Sequence, residues 1–172
     1  SLGTCYYPEH WDRSLWEVDL KRMKAAGIET IRVGEFAWSK VEPREGEFSY
    51  EFFDDFLNAV RAADMKVIFG TPTATPPAWL TEKYPEVLNC RMDGVKFRHG
   101  MRRHYNYNSP VYQDLSARIV EKFAGHYAAH PNVIGWQIEN EINCEVDVFY
   151  SESDTAAFRK YLQGKYGTLE NL

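Results

Sequence analysis

The sequence predicts an α/β fold of parallel strands, and three observations carry that prediction. Short apolar runs of strand length alternate four times with segments of helical period along the 172 residues. The stretches between the runs are long enough for right-handed crossovers between parallel strands. Carboxylates, amides, arginines and aromatics collect just after the runs, where a parallel barrel carries its chemistry. Four such units make half of a (β/α)8 barrel or a small doubly wound sheet. A closed barrel normally takes about 250 residues and about 200 at the least, so a chain of 172 cannot hold a whole one.

Leu2–Tyr7, stopped by Pro8, reads as a buried strand. Ser14-Leu15-Trp16-Glu17 fits a capping box, and Trp16, Leu20 and Met23 follow at helical spacing up to Gly27. Ile28–Val33 reads as the second strand, followed by the polar-aromatic loop from Gly34 to Trp38. Phe53, Phe56, Leu57 and Val60 mark the next helix, and Lys66–Gly70 the third strand. The segment Thr71 to Asn108 is rich in proline and aperiodic, longer than connecting loops usually are without a function. Ser109-Pro110 opens a helix whose apolar stripe is Tyr112, Leu115, Ile119 and Phe123. Val133–Ile138 is the fourth strand, running into Glu139-Asn140-Glu141. A last helix over about Asp154 to Tyr166 turns Phe158, Tyr161 and Leu162 inward.

Composition narrows the function. Hydrophobic residues at 44% and charged residues at 26% describe an ordinary globular chain. No apolar run reaches the ~20 residues of a membrane span. Twenty Lys and Arg against 25 Asp and Glu, without a basic block, argue against a nucleic-acid partner. Aromatics reach 15%, and Trp and Tyr together number 16, a supply of flat surfaces suited to sugar rings or flat ligands. Cys5, Cys90 and Cys144 form neither a disulfide framework nor a C-x-x-C pair and read as buried free thiols. The phosphate fingerprint G-x-G-x-x-G and the P-loop are absent, so no nucleotide cofactor is expected. No secretory leader is read at Ser1-Leu2-Gly3, and a cytoplasmic location is the expectation.

The strand ends carry Tyr6, Tyr7, Glu9, His10 and Trp11, then Glu35 and Trp38, then Arg102, Arg103 and His104, and last Glu139, Asn140 and Glu141. Motifs for a serine or cysteine nucleophile are missing. Carboxylates beside amides and arginine suit glycoside hydrolysis, in which one carboxyl group protonates the leaving oxygen and another attacks or activates water. Asn140-Glu141 is the sharpest element, because it sets a carboxylate and a carboxamide directly after a buried strand. Glu35 is read either as facing the site or as paired with Arg32 or Arg44. Glu9, His10, Arg103 and His104 read mainly as loop braces, and Trp11, Trp38 and Trp79 mainly as packing.

These segments resemble the N-terminal part of glycoside hydrolase family 42, the β-galactosidases of that family. The resemblance rests on Tyr6-Tyr7-Pro8-Glu9-His10-Trp11, Arg32-Val33-Gly34-Glu35-Phe36-Ala37-Trp38, the run from Thr71 to Leu80, Arg102-Arg103-His104-Tyr105, Asn108-Ser109-Pro110-Val111-Tyr112, and Gly135 to Glu141, in the family's order. It implies an α/β (β/α)8 TIM barrel, of which residues 1–172 are the first four β/α units. It implies a retaining mechanism on β-galactoside oligosaccharides, with Glu141 as general acid/base and Asn140 and Arg102 binding substrate. It also implies a homo-oligomer, a trimer, when full length. The nucleophile of the family is a Glu at the end of the seventh strand, beyond this chain. Two departures stand out. Glu139 takes the place of the family's usual Asp. Some members also carry a four-cysteine zinc cluster, but Asn106 stands at its first position and Val146 to Ala157 has no Cys, so no metal is expected. Two alternatives remain: a non-catalytic sugar-binding or structural half-barrel, and another member of the clan, such as an endo-glycanase.

Overall fold

Four strands of this computed structural model form one parallel sheet in the order β1-β2-β3-β4. The strands are β1 (Leu2–Cys5), β2 (Ile28–Val33), β3 (Lys66–Gly70) and β4 (Val133–Gln137). The structure describes residues 1–172 apart from 101, 143, 145 and 147. The helices are α1 (Arg13–Ala25), α2 (Trp38–Val41), α3 (Glu51–Ala62), α4 (Ala78–Lys83), α5 (Pro110–Tyr127) and α6 (Glu152–Tyr166). Two units divide the chain: Ser1–Pro77 with Arg118–Ile142, and Ala78–Ala117 with Asn143–Leu172.

The first unit holds the whole sheet. Its register pairs Val33 with Phe69 and Phe69 with Trp136, so the alternation of strand side chains puts Ile31, Val33, Val67, Phe69 and Trp136 on one face. That face meets the helices. Phe69 makes edge contacts with Phe53 of α3 and Phe123 of α5 and stacks on Trp136. Phe53, Phe56, Leu57 and Val60 are all buried, as their spacing predicts, and each such side chain contributes about 1.5–3 kcal/mol. The opposite face carries Cys5, Arg32, Ile68, Gly135 and Gln137.

This two-sided pattern corrects two expectations. β1 is exposed along its length and not buried, because it is an edge strand. Cys5 therefore lies exposed on the face away from the helices; Cys144 is exposed too, and only Cys90 is a buried thiol. The start of α1 differs as well. Asp12 is the cap, and its carboxylate accepts from the Ser14 backbone N–H at 2.8 Å and from the Ser14 hydroxyl at 2.7 Å. An ionised acceptor facing the helix amides outcompetes a neutral hydroxyl two residues later.

The second unit contains α4, the first turns of α5, and α6. The aperiodic segment includes α4, which is too short for its periodicity to show. α6 starts at Ser151 with a capping box to Asp154. Phe158 and Tyr161 are exposed on α6, contrary to the inward orientation predicted, because no apolar layer among the described residues of this unit covers them. No described helix is long and apolar enough to cross a membrane.

Candidate active site

The site of the first unit is built where β2 and β4 end. Period two turns Arg32 of β2 away from the helices, onto the face it shares with Gln137 of β4. Its guanidinium is the centre of a polar cluster. Nη1 donates to Gln137 Oε1 at 2.6 Å and to Asn140 Oδ1 at 3.2 Å. Nη2 sits 2.9 Å from Glu35 Oε2 and donates to the Tyr7 hydroxyl at 3.4 Å. Tyr7 in turn donates to Glu35 Oε2 at 3.4 Å. Of the two arginines read as partners of Glu35, Arg32 holds it, and Glu35 is only 2% exposed.

Glycines bring Glu35 there. Gly34 turns the chain with φ of +92°, and a Cβ on it would lie 3.1 Å from Phe69. A Cβ on Gly70 would lie 3.3 Å from the Glu35 backbone, so only glycine lets the β2 and β3 ends approach this closely. Burial raises the Tyr7 pKa, helped by the neighbouring Glu35 and Cys5 charges and opposed by Arg32. Tyr7 therefore stays a phenol and can act as donor and acceptor at once.

Past β4 the backbone bends sharply. Glu139 and Glu141 adopt φ of 55° and 43°, a left-handed conformation that costs a non-glycine residue about 1–2 kcal/mol. Two threonines hold the bend. Thr71 Oγ1 accepts from the Glu139 N–H at 2.7 Å, and the Thr73 hydroxyl donates to the Glu139 carboxylate. The departure at Glu139 is thus accommodated by a buried hydroxyl partner. Asn140 is 8% exposed, and its Oδ1 also accepts from Gln137 Nε2 at 3.0 Å. Glu141 is exposed at the carboxyl end of the sheet. Asn140 and Glu141 therefore fall at one strand end, as predicted.

Arg102 lies in the second unit, half-buried on the segment between α4 and α5. Its neighbours Arg103 and His104 are buried there. Arg103 donates to the Tyr107 hydroxyl, and the His104 ring meets His99 and Tyr105. Both brace the loop. Trp38 is wholly buried and donates to Glu42 at 2.9 Å, which makes it a packing residue. Tyr7, His10 and Phe36 form one ring cluster. Sequence reasoning missed Arg32 and Gln137 as site residues. The available signal was a charged and an amide residue on the polar alternate of two otherwise apolar strands.

Asn106, the place of the family's first zinc thiolate, donates to Ser153 Oγ at 2.7 Å and to the Ser151 hydroxyl. Asn108 donates to Asp154 Oδ1 at 2.7 Å. A carboxamide, two hydroxyls and one carboxylate bonded to each other do not fit a tetrahedral thiolate zinc site. No group of three His, Cys, Asp or Glu among the described residues can hold a metal ion.

The sequence profile of glycoside hydrolase family 42, described as beta-galactosidase, matches residues 5–172. The chain belongs to glycoside hydrolase family 42. A β-galactosidase of Thermus thermophilus is 44% identical over 172 residues, which are 99% of this chain and 27% of that protein. The crystal structure of a β-galactosidase from the psychrophilic Marinomonas ef1 superposes with a TM-score of 0.94 at 45% identity, over 99% of this chain and 26% of that one. A β-galactosidase of the Antarctic haloarchaeon Halorubrum lacusprofundi gives a TM-score of 0.94 at 40% identity, over 99% and 26%. The family 42 fold is the (β/α)8 TIM barrel, and the four parallel β/α units are part of it. The chain spans about a quarter of the length of these relatives.

Proposed function

We propose that this family 42 chain is the N-terminal half of the catalytic barrel of a retaining β-galactosidase acting on terminal β-D-galactosyl residues. The observation that carries the proposal is Asn140-Glu141 at the carboxyl end of β4, beside the Arg32 cluster. Glu141 is the general acid/base: it protonates the glycosidic oxygen as the bond breaks, then takes a proton from the water that releases the sugar. The nucleophile is a carboxylate beyond residue 172, and retention sets the two groups about 5–5.5 Å apart. Asn140 and Arg102 hold ring hydroxyls. No metal or cofactor takes part. The substrate is a β-galactoside oligosaccharide, and the whole enzyme is a cytoplasmic homo-oligomer, a trimer by family resemblance.

The test is Glu141→Gln in the whole enzyme. Hydrolysis of lactose and alkyl galactosides should fall by about 10²–10⁴-fold, the range for losing a general acid. An activated aryl galactoside, whose leaving group needs no proton, should still form the glycosyl-enzyme. Unchanged turnover of lactose would remove Glu141 from this role. A panel of aryl β-galactoside, glucoside and mannoside separates a galactosidase from an endo-glycanase of the same clan.

A further inference from the structure

We infer that Arg32 and Gln137 are positioning residues that lock the Asn140 carboxamide with its oxygen turned into the protein. The site then meets substrate at this point with an N–H donor and takes a hydroxyl there as acceptor. The inference rests on the glycosidase reading of the site and adds to it the polarity of one contact and the residues that set it.

The chemistry of the donors dictates the orientation. A guanidinium has five N–H donors and no acceptor, so the atom of Asn140 that faces Arg32 Nη1 at 3.2 Å must be the oxygen. The same holds for Gln137, whose Oε1 takes Nη1 at 2.6 Å. Its amide nitrogen is thereby turned the other way, where it donates to the Glu139 carbonyl at 2.9 Å and to Asn140 Oδ1 at 3.0 Å. Arg32 thus sets Gln137, and the two together set Asn140. Both acceptor positions of Oδ1 are filled, and Nδ2 of Asn140 bonds nothing among the described residues. A flipped amide would bring its NH2 group against two donors.

Arg32 itself is held from its other side. Nη2 lies between Glu35 and the Tyr7 hydroxyl, and Tyr7 also bonds Glu35. Two closed triangles share the guanidinium, one with Glu35 and Tyr7 and one with Gln137 and Asn140. The donor of Asn140 is therefore fixed before substrate arrives and needs no reorganisation as the reaction proceeds. A hydroxyl that accepts from Asn140 keeps its own proton to give elsewhere.

The experiment is a coupling cycle between enzyme and substrate in the whole enzyme. Aryl β-galactoside, glucoside and mannoside are assayed first, and the one hydrolysed is taken with its monodeoxy analogues. Asn140→Ala should lower kcat/KM on the parent glycoside by about 100-fold, as loss of one preorganised donor does. One deoxy analogue should reduce that loss to within about 3-fold, which identifies the contacted hydroxyl. Arg32→Met and Gln137→Met should each cost at least about 10-fold less on that analogue than on the parent. Asn140→Asp, which presents an acceptor, should be no better than Asn140→Ala. Equal losses for Arg32→Met and Gln137→Met on parent and all deoxy substrates would mean a merely structural role and overturn the inference. Parent activity in Asn140→Asp would overturn the donor polarity. Melting curves check each fold, and if Arg32→Met does not fold, Gln137→Met and Gln137→Glu decide. Turnover of the glucoside or mannoside but not the galactoside overturns the substrate reading and leaves the cycle to run on the substrate that works. No turnover of any of the three overturns both.

Discussion

Folding takes the Glu9 carboxyl out of water and gives neither oxygen a hydrogen-bond partner on another described residue. Burial pushes its pKa above the ordinary 4.5; the residue's own backbone N–H, His10 and Lys40 oppose the rise, and the nearby Glu35 charge adds to it. In the unfolded chain Glu9 ionises near 4.5, whereas in the folded chain it holds its proton to higher pH. Its contribution to stability is full below 4.5 and is lost as pH rises through the folded value. Glu9→Gln should therefore raise the Tm of the whole enzyme at pH 7 and change it little at pH 4; an equal shift at both would show that Glu9 is not desolvated. At this scale the sequence made some residues legible and hid others. Asn140 and Glu141 could be read because they follow an apolar run directly. Glu35 could be narrowed to two partners but not to one, since Arg32 and Arg44 are both near in sequence and only the turn at Gly34 decides. Arg32 was hidden as the hub because its partners Gln137 and Asn140 are more than 100 positions away.

At the scale of elements, periodicity was legible wherever the partner of an apolar stripe lies in the same unit. α3 follows its stripe fully, with Phe53, Phe56, Leu57 and Val60 buried against the sheet. α6 does not, because a stripe says which residues share a side and not whether anything covers that side. The segment before α6 shows a second kind of element-level support. Asn106 ties the loop after Arg103 to the start of α6 through Ser151 and Ser153, and Asn108 reaches Asp154. Asn106 is wholly buried. Asn106→Ala removes its bonds to the Ser151 and Ser153 hydroxyls and to the Asn108 backbone N–H, a loss of about 1–3 kcal/mol. A denaturant midpoint lowered accordingly, with unchanged slope, is the expected outcome. Treatment with a chelator should leave the midpoint of the unaltered protein where it was. A chelator-induced drop would instead reveal a bound metal and displace this account of the loop.

At the scale of the whole molecule, the sheet has one face on helices and one face bearing Cys5, Arg32, Ile68 and Gln137. β1 and β4 are its edges, each paired with one neighbour only. Beyond β4, Ile138 and Ile142 are exposed at 73% and 60%, beside the site. Unpaired edge groups are a template for further strands, and clustered exposed apolar side chains favour association. In the family's barrel, later strands occupy both edges. Residues 1–172 alone should therefore self-associate, with an apparent mass that rises with concentration in light scattering. Ile138→Asp should reduce that association without touching the helix-facing core, whereas a substitution at exposed Lys21 on α1, outside the strands, should not. The same chain should hydrolyse no glycoside, because the nucleophile is proposed to lie beyond residue 172. A monomer at every concentration with a sharp cooperative melt would contradict the open-edge argument. Measurable turnover would contradict the placement of the nucleophile beyond residue 172.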